Sequence, residues 1–358
     1  MPDPTNSNVP LRRGRGARIN PPNRFEPFHF EEDPDALDQE ELRHLETEFF
    51  LDRTKTILAK NDSPDVGFTY SVNPYRGCEH GCIYCYARPS HEFLGFSAGL
   101  DFETKILVKE EAPELLSKTF QKGSWEPQVV ALSGNTDPYQ PLERRLGLTR
   151  RCLEVFLEHR NPVAIITKNH LVTRDADLLE ELARLNLVTV ALSITTLNAD
   201  LVGAMEPRTS RPERRLRAIE VLSSRGIPVS VNVAPVVPGL TDEELPAIVK
   251  AAAACGASHA GYIMMRLPGP VKELFLEWLA REYPDRFNKV VHRLASLRGN
   301  RLTDSRFGVR MRGEGEWSQL VARLFHMSCR RHGLNAEYRR LSTEHFRRLR
   351  HGQQNLFG

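Results

Sequence analysis

With 358 residues, 40 % of them hydrophobic and 27 % charged, the chain is long enough to bury one large core, which excludes a miniprotein held together by staples. No run approaches 18 consecutive apolar residues, and the first 23 residues are polar and rich in Pro and Arg without an apolar signal core; the expectation is an unexported, cytoplasmic protein. The formal charge of +3 is unevenly spread, because from Val290 onward there are 14 Arg and no Lys against 5 Asp or Glu, a net +9 that leaves −6 before it. An Arg-only basic segment suits bidentate contact with phosphate or carboxylate, so nucleic acid is a candidate partner; a solvated helical surface accounts for it equally well.

Residues 1–64 open with Arg12, Arg13 and Arg15 among Pro, Asn and Gly and continue into the acidic run Glu31, Glu32, Asp33 and Asp35. They are expected to form a flexible arm followed by a peripheral helix. Residues 65–285 then alternate short β-branched runs with amphipathic stretches, and six strands are predicted: Phe68–Val72, Gln128–Leu132, Val163–Ile166, Leu187–Ile194, Val229–Val233 and His259–Met264. Between them, Ser210 with Glu213 and Thr241 with Glu244 have the spacing of capping boxes. A helix from Thr173 is expected to bury Leu178, Leu182 and Leu185. Six strands alternating with six helices predict parallel βαβ units, either a partial (β/α)6 barrel of the TIM type or an open doubly wound sheet. In both, chemistry belongs at the C-terminal ends of the strands. Residues 286–358 are expected to be an Arg-rich, mostly helical extension.

Three of the six cysteines, Cys78, Cys82 and Cys85, fall within eight residues in the stretch VNPYRGCEHGCIYCYA, directly after the first predicted strand. That crowding is typical of metal binding rather than of a disulfide framework. Iron–sulfur clusters are normally held by four cysteines, so a set of three leaves one iron open to chemistry. The competing assignment is a zinc knuckle completed by His80 or His91, which would make the chain a zinc-stabilised nucleic-acid-binding module without catalysis. Cys152, Cys255 and Cys329 stand alone on helical faces or ends and read as buried small hydrophobes.

The CxxxCxxC spacing, Tyr84 before the third cysteine and the position after strand one resemble the radical S-adenosylmethionine superfamily, and NPYRGCxHGCxYCYA resembles its branch related to spore photoproduct lyase. The resemblance covers residues 65 to about 283. It implies a [4Fe–4S] cluster on Cys78, Cys82 and Cys85, with S-adenosylmethionine bound at the open iron. It also implies an electron from a reductant such as flavodoxin or ferredoxin, and a 5′-deoxyadenosyl radical that abstracts hydrogen from substrate. The substrate class stays open between nucleic acid and a peptide or small metabolite.

Along the strand ends, Ser133-Gly134-Asn135-Thr136-Asp137 occupies the place where the resemblance puts contacts to the cofactor's amino group, which selects Ser133, Thr136 and Asp137. Capping of the next helix is the plainer role for them. Lys168 after strand three and Ser193 at the end of strand four match a lysine and a serine of the resembling lyases, and Lys168 suits the methionine carboxylate. Adenine contacts are placed near residues 235–242. Glu206, Arg208 and Arg266 are open between site and structural roles. One departure concerns the lyase reaction itself: where those enzymes carry a hydrogen-donating cysteine after strand two, this chain has Asn135. At the far end, apolar Leu320, Val321, Leu324 and Phe325 predict a helix. Gln353 to Phe357 resembles the peptides by which replication and repair proteins dock on a sliding clamp; a self-docked terminus is the alternative.

Overall fold

The β-branched runs form one sheet because parallel strands, covered on both faces, accept nearly continuous apolar sequence. The structure is a computed structural model describing residues 14–26, 46–337 and 339–349. In chain order, β1 (Glu48–Leu51), β2 (Leu58–Lys60), β3 (Tyr70–Val72) and β4 (Tyr75–Arg76) lead through the single turn α1 (Asp101–Thr104) to β5 (Lys105–Val108) and α2 (Ala112–Gln121). Then come β6 (Val130–Leu132), the single turn α3 (Glu143–Leu146), α4 (Leu148–His159), β7 (Val163–Thr167), α5 (Ala176–Arg184) and β8 (Val188–Ser193). The helices α6 (Ala199–Met205) and α7 (Pro212–Ser223) lead to β9 (Val229–Val236), α8 (Leu245–Ala254) and β10 (His259–Met264). Three further helices follow: α9 (Val271–Glu282), α10 (Pro284–Ser296) and α11 (Gly315–Arg331).

The main sheet has the order β10-β9-β8-β7-β6-β3-β2, parallel throughout except for the antiparallel β2 on β3. Sequence order and spatial order coincide from β3 to β10. Right-handed crossovers therefore leave all the helices on one side and the sheet curls as a partial six-unit barrel, not a doubly wound sheet whose order reverses. A small second sheet, β1-β5-β4, braces the segment that enters the cysteine loop. Across the side between β10 and β2 runs a C-terminal strap. Met264 N–H donates to Met311 O (2.9 Å), Gly308 N–H to Asp65 Oδ1 (2.6 Å) and Arg310 to both Asp65 and Ser63. Among the described residues no helix is long and apolar enough to cross a membrane.

The six predicted strands are all present, with shifted ends. Phe68 and Gln128 lie outside the sheet because their carbonyls accept from the side chains of Asn61 and Asn161. β9 runs on to Val236. The two capping boxes do not form: Ser210 Oγ accepts from His170 N–H (2.8 Å), Thr241 Oγ1 from Val237 N–H (2.9 Å), and Glu244 is drawn away to Thr196 and Leu197. α5 begins later than Thr173 and buries Leu179 and Leu182, with Leu178 and Leu185 half-buried, because a 3₁₀ turn over His170–Asp175 rotates its phase.

The ends also differ from the flexible-arm expectation. Residues 14–26 are pinned to the cysteine loop from behind. The fully buried Glu103 carboxylate accepts from Gly16 N–H (2.9 Å), Ala17 N–H (2.8 Å) and Arg88, and Arg88 Nε donates to Cys82 O (3.0 Å). Of residues 46–64 the structure shows β1 and β2; Arg12, Arg13, the acidic run and most of the expected peripheral helix lie outside the described residues. The extension from residue 286 joins the core. Val290 and Leu294 of α10 cluster with Trp278 and Leu279 of α9, and α11 adds Val321, Phe325 and Cys329 to the main core, with Leu320 and Leu324 half-buried. Several tail arginines serve as anchors: Arg298 donates to Met265 O, Arg293 pairs with Asp242 (3.2 Å) and Arg348 donates to Trp125 O (2.7 Å). The clamp-like Gln353 to Phe357 lies outside the described residues.

Candidate active site

The C-terminal ends of the strands surround one cavity of about 460 Å³. Cys78, Cys82 and Cys85 line it, together with Ser133, Thr136, Asp137, Lys168 and Ser193, so the topology brings every candidate residue to one place. None of the three thiols is in a disulfide; Cys78 and Cys82 are buried and Cys85 half-buried. The loop that carries them requires glycine at Gly81. Its φ is +66°, and the arm's Gly16 lies so close that a Cβ there would sit 1.8 Å from Gly81 O.

Burial pushes the Cys78 thiol well up, and the charges of Asp137, Cys82 and Cys85 add to the effect. Cys82 is also raised, first by burial and then by Glu206, against the opposing pull of Lys168. Buried thiols such as Cys78 and Cys82, whose ionisation burial and neighbouring charge oppose, become thiolates only around a cationic centre. The donor set therefore fits an iron–sulfur cluster. The zinc-knuckle alternative lacks its fourth ligand. His80 Nδ1 faces Asp137 Oδ2 (3.3 Å) and its Nε2 faces Asn169 (3.1 Å), while His91 is packed between Phe96 and Phe102. Among the described residues no three His, Cys, Asp or Glu side chains are gathered for a single ion.

The polar lining divides into groups that are committed and groups that are free. Asp137 is committed: it accepts from Thr167 Oγ1 (2.6 Å), Tyr139 N–H (2.9 Å) and Lys168 N–H (2.7 Å) and pairs with His80. Burial alone would raise its carboxyl, but His80 and these donors hold it at about 2. It joins the cysteine loop to the ends of β6 and β7. Thr136 donates to Tyr75 O (3.1 Å) and Ser133 to Thr136 O (3.2 Å), closing the turn in which Gly134 has φ +115°. The Lys168 ammonium, by contrast, lies 5.9 Å from the Tyr84 ring and donates no hydrogen bond to any described residue. Burial acts to lower its pKa, yet Cys82 and Glu206 raise it, so it enters the cavity charged. The side chains of Ser193 and of Asn232, on β9, are equally unengaged.

Behind Lys168 lies a buried pair that resolves the open roles of Glu206 and Arg208. Glu206 and Arg215 are fully buried and bonded to each other; Glu206 also accepts from Tyr84 and from Thr195 Oγ1 (2.6 Å). Arg215 donates further to Ser210 O (2.7 Å) and Ser193 O (2.9 Å). Arg208 pairs instead with Glu79 (3.0 Å), next to Cys78. Both acids are structural, holding the loop and strand ends.

The sequence reading had no signal for His80 as Asp137's partner, nor for Asn232. Tyr86 donates its hydroxyl to Gly134 O and carries Arg266 at 4.6 Å over its ring; its position directly after Cys85 was the available cue. Of residues 235–242, assigned to adenine contacts, Pro235 lines the cavity, with Ala234 just before it, while residues 236–242 do not. Asn135 is exposed at the rim.

A partial parallel barrel whose strand ends surround a cavity lined by three free thiols is the architecture of an α/β enzyme with its site at the C-terminal ends of the strands. The family model described as the Radical SAM superfamily matches residues 72–252, and the chain belongs to that superfamily. The family implies S-adenosylmethionine and an iron–sulfur cluster. An uncharacterized protein of Mycobacterium tuberculosis (strain ATCC 25618 / H37Rv) is 39 % identical over 220 residues, 61 % of this chain and 65 % of that one. The chain thus spans just under two thirds of the length of such curated relatives. A radical SAM Nalpha-GlyT isomerase of Pseudomonas phage M6 is 27 % identical over 191 residues, 52 % of this chain and 38 % of that protein. Spore photoproduct lyase complexed with dinucleoside spore photoproduct shares the fold, with a TM-score of 0.56, 17 % identity and 80 % of each chain covered.

Proposed function

We propose that the chain is a cytoplasmic enzyme that cleaves S-adenosylmethionine reductively at a [4Fe–4S] cluster held by Cys78, Cys82 and Cys85 and acts on a nucleic-acid substrate. The observation that carries the first part is the cavity in which these thiols meet an uncommitted, charged Lys168. When bound, the cluster supplies the electron that splits the sulfonium into methionine and the hydrogen-abstracting 5′-deoxyadenosyl radical. Cys78, Cys82 and Cys85 would hold the cluster, and three protein ligands rather than four would leave room for the cofactor. Lys168 neutralises the methionine carboxylate, and Ser193 and Asn232 offer hydrogen bonds. Asp137 and Glu206 position these groups through His80, Lys168 N–H and Tyr84. The apolar walls of Ile166, Met264 and Met265 limit water around the reactive centre.

Nucleic acid is supported by the Arg-rich extension. The fold neighbour complexed with dinucleoside spore photoproduct points the same way. Asn135 in place of a thiol argues against the lyase's own hydrogen-return step. Flavodoxin or ferredoxin is the expected class of reductant.

The test is anaerobic reconstitution with iron and sulfide analysis and a dithionite-driven assay for 5′-deoxyadenosine, beside Cys82→Ala. About four iron per chain and 5′-deoxyadenosine from wild type alone is the expected result. Stoichiometric zinc with no 5′-deoxyadenosine refutes the reading.

A further inference from the structure

The charge lining the cavity is more than the cofactor can use. Lys60, Lys168, Arg266 and Arg310 all face it, against one carboxylate, Asp137, already paired with His80, and the three cysteines, whose charge the cluster would largely offset. S-adenosylmethionine carries an ammonium and a sulfonium against a single carboxylate and is itself a cation. If Lys168 takes that carboxylate, the cations at the outer mouth have no counter-ion in the cofactor.

Arg266 is the clearest case. It follows β10 and sits over Tyr86, with the guanidinium carbon 4.6 Å from the ring centroid, and its side chain makes no hydrogen bond or ion pair with any described residue. The ring beneath it is fixed by the Tyr86 hydroxyl on Gly134 O. Burial lowers the Arg266 pKa and the nearby Arg310 lowers it further, partly offset by Tyr86 and Asp65, so the charge is held where an anion would relieve it. With no N–H of the Arg266 guanidinium committed to a described residue, its fork is available for bidentate contact with an oxyanion. Arg310, on the strap, is held at the same mouth by Asp65 and Ser63, and the Lys60 side chain at the end of β2 has no hydrogen bond or ion pair with any described residue.

We infer that Arg266, with Lys60 and Arg310 beside it, receives a phosphodiester of the substrate strand, an assignment that rests on the nucleic-acid reading above. The surroundings favour a nucleic acid over an acidic peptide. Tyr86 and Ile263 are exposed and Phe68 half-exposed on the same cavity wall, so flat apolar surface alternates with cations, as base stacking beside a backbone groove requires.

The experiment follows binding of a fluorescein-labelled oligothymidylate of about twelve nucleotides to the reconstituted protein by anisotropy, between about 50 and 200 mM salt. Arg266→Gln is expected to weaken binding about ten-fold and to make the log–log salt slope shallower by about 0.7, the value for one single-strand phosphate contact. Arg266→Lys should restore most of the slope, and a methylphosphonate oligomer should bind wild type and Arg266→Gln alike. Three results overturn the assignment. One is an equal loss in Lys250→Gln, exposed on α8 outside the cavity and outside the Arg-rich extension, which would reduce the effect to net charge. Another is an unchanged salt slope with a raised half-saturating S-adenosylmethionine concentration, which would give Arg266 to the cofactor. The third is wild type that forms 5′-deoxyadenosine but does not bind the oligomer, which removes the phosphodiester while leaving the radical chemistry intact.

Discussion

Replacing Glu206 with Gln keeps the shape of the side chain and removes only its charge, so it isolates what the buried pair contributes. Arg215 would remain fully buried with backbone and hydroxyl acceptors but no counter-ion. Breaking a buried pair from one side costs about 3–5 kcal/mol. The titration gives a similar figure: burial alone would raise the Glu206 carboxyl, but Arg215 and Lys168 bring it from 4.5 to about 2, equivalent to about 3 kcal/mol. With an unfolding entropy of about 2.1 cal/mol/K per residue over about 300 ordered residues, the thermal midpoint should fall by about 5–8 °C at neutral pH. The sign follows from the lowered pKa. The contribution is complete above the unfolded carboxyl's value near 4.5 and is lost as pH falls toward 2, so the gap between wild type and Glu206→Gln should narrow through that window. Calorimetry at pH 7, 4.5 and 3 measures it. Adding Arg215→Met to Glu206→Gln should cost at least about 2 kcal/mol less than the two single changes together. A midpoint within 1 °C of wild type at about pH 7, or a gap that does not change with pH, would refute the reasoning.

Lys168→Met should raise the S-adenosylmethionine concentration for half-maximal 5′-deoxyadenosine formation by about ten- to hundred-fold, since a hydrogen bond to a charged group contributes about 1.5–3 kcal/mol; an unchanged titration removes Lys168 from the cofactor site. Cys78→Ala, Cys82→Ala and Cys85→Ala should each abolish the absorbance and EPR signal of the reconstituted cluster, whereas Cys152→Ala should retain them. Gly16→Ala places a methyl 1.8 Å from Gly81 O and should cost about 1–3 kcal/mol. Hydrogen exchange should show Gly16 and Ala17 losing protection if the arm detaches, and full protection with an unchanged melt would mean the loop yields at no cost.

What was legible in the sequence was whatever leaves a local pattern. Six β-branched runs gave six strands, and three crowded cysteines marked one loop. What was not legible depends on partners distant in the chain. Ser210 and Thr241 look like caps until His170 N–H and Val237 N–H claim their hydroxyls. β1, β2, β4 and β5 are two to four residues long, too short to show a period, and β1 is exposed throughout. Arg15 reads as part of a solvated arm until Glu103 O accepts from it (2.8 Å) across 88 residues.

The same distinction sorts the candidate site. Ser133, Thr136, Asp137, Lys168 and Ser193 all come from strand ends, and the barrel topology alone carries them to one cavity. Topology does not say which of them stay available. Asp137, the most polar of the five, is consumed by His80, Thr167 and the Lys168 backbone. Lys168 stays available because its neighbours Glu206 and Arg215 neutralise each other, so that Glu206 raises the charge on Lys168 without binding it. A buried carboxylate with four donors is a fixed electrostatic support. A lysine with none is a binding group, and by the same reasoning so is Arg266 over Tyr86. Lys168 beside the cysteines and Arg266 over Tyr86 are thus separate places in one cavity, which is the arrangement that the proposed pairing of cofactor and substrate requires.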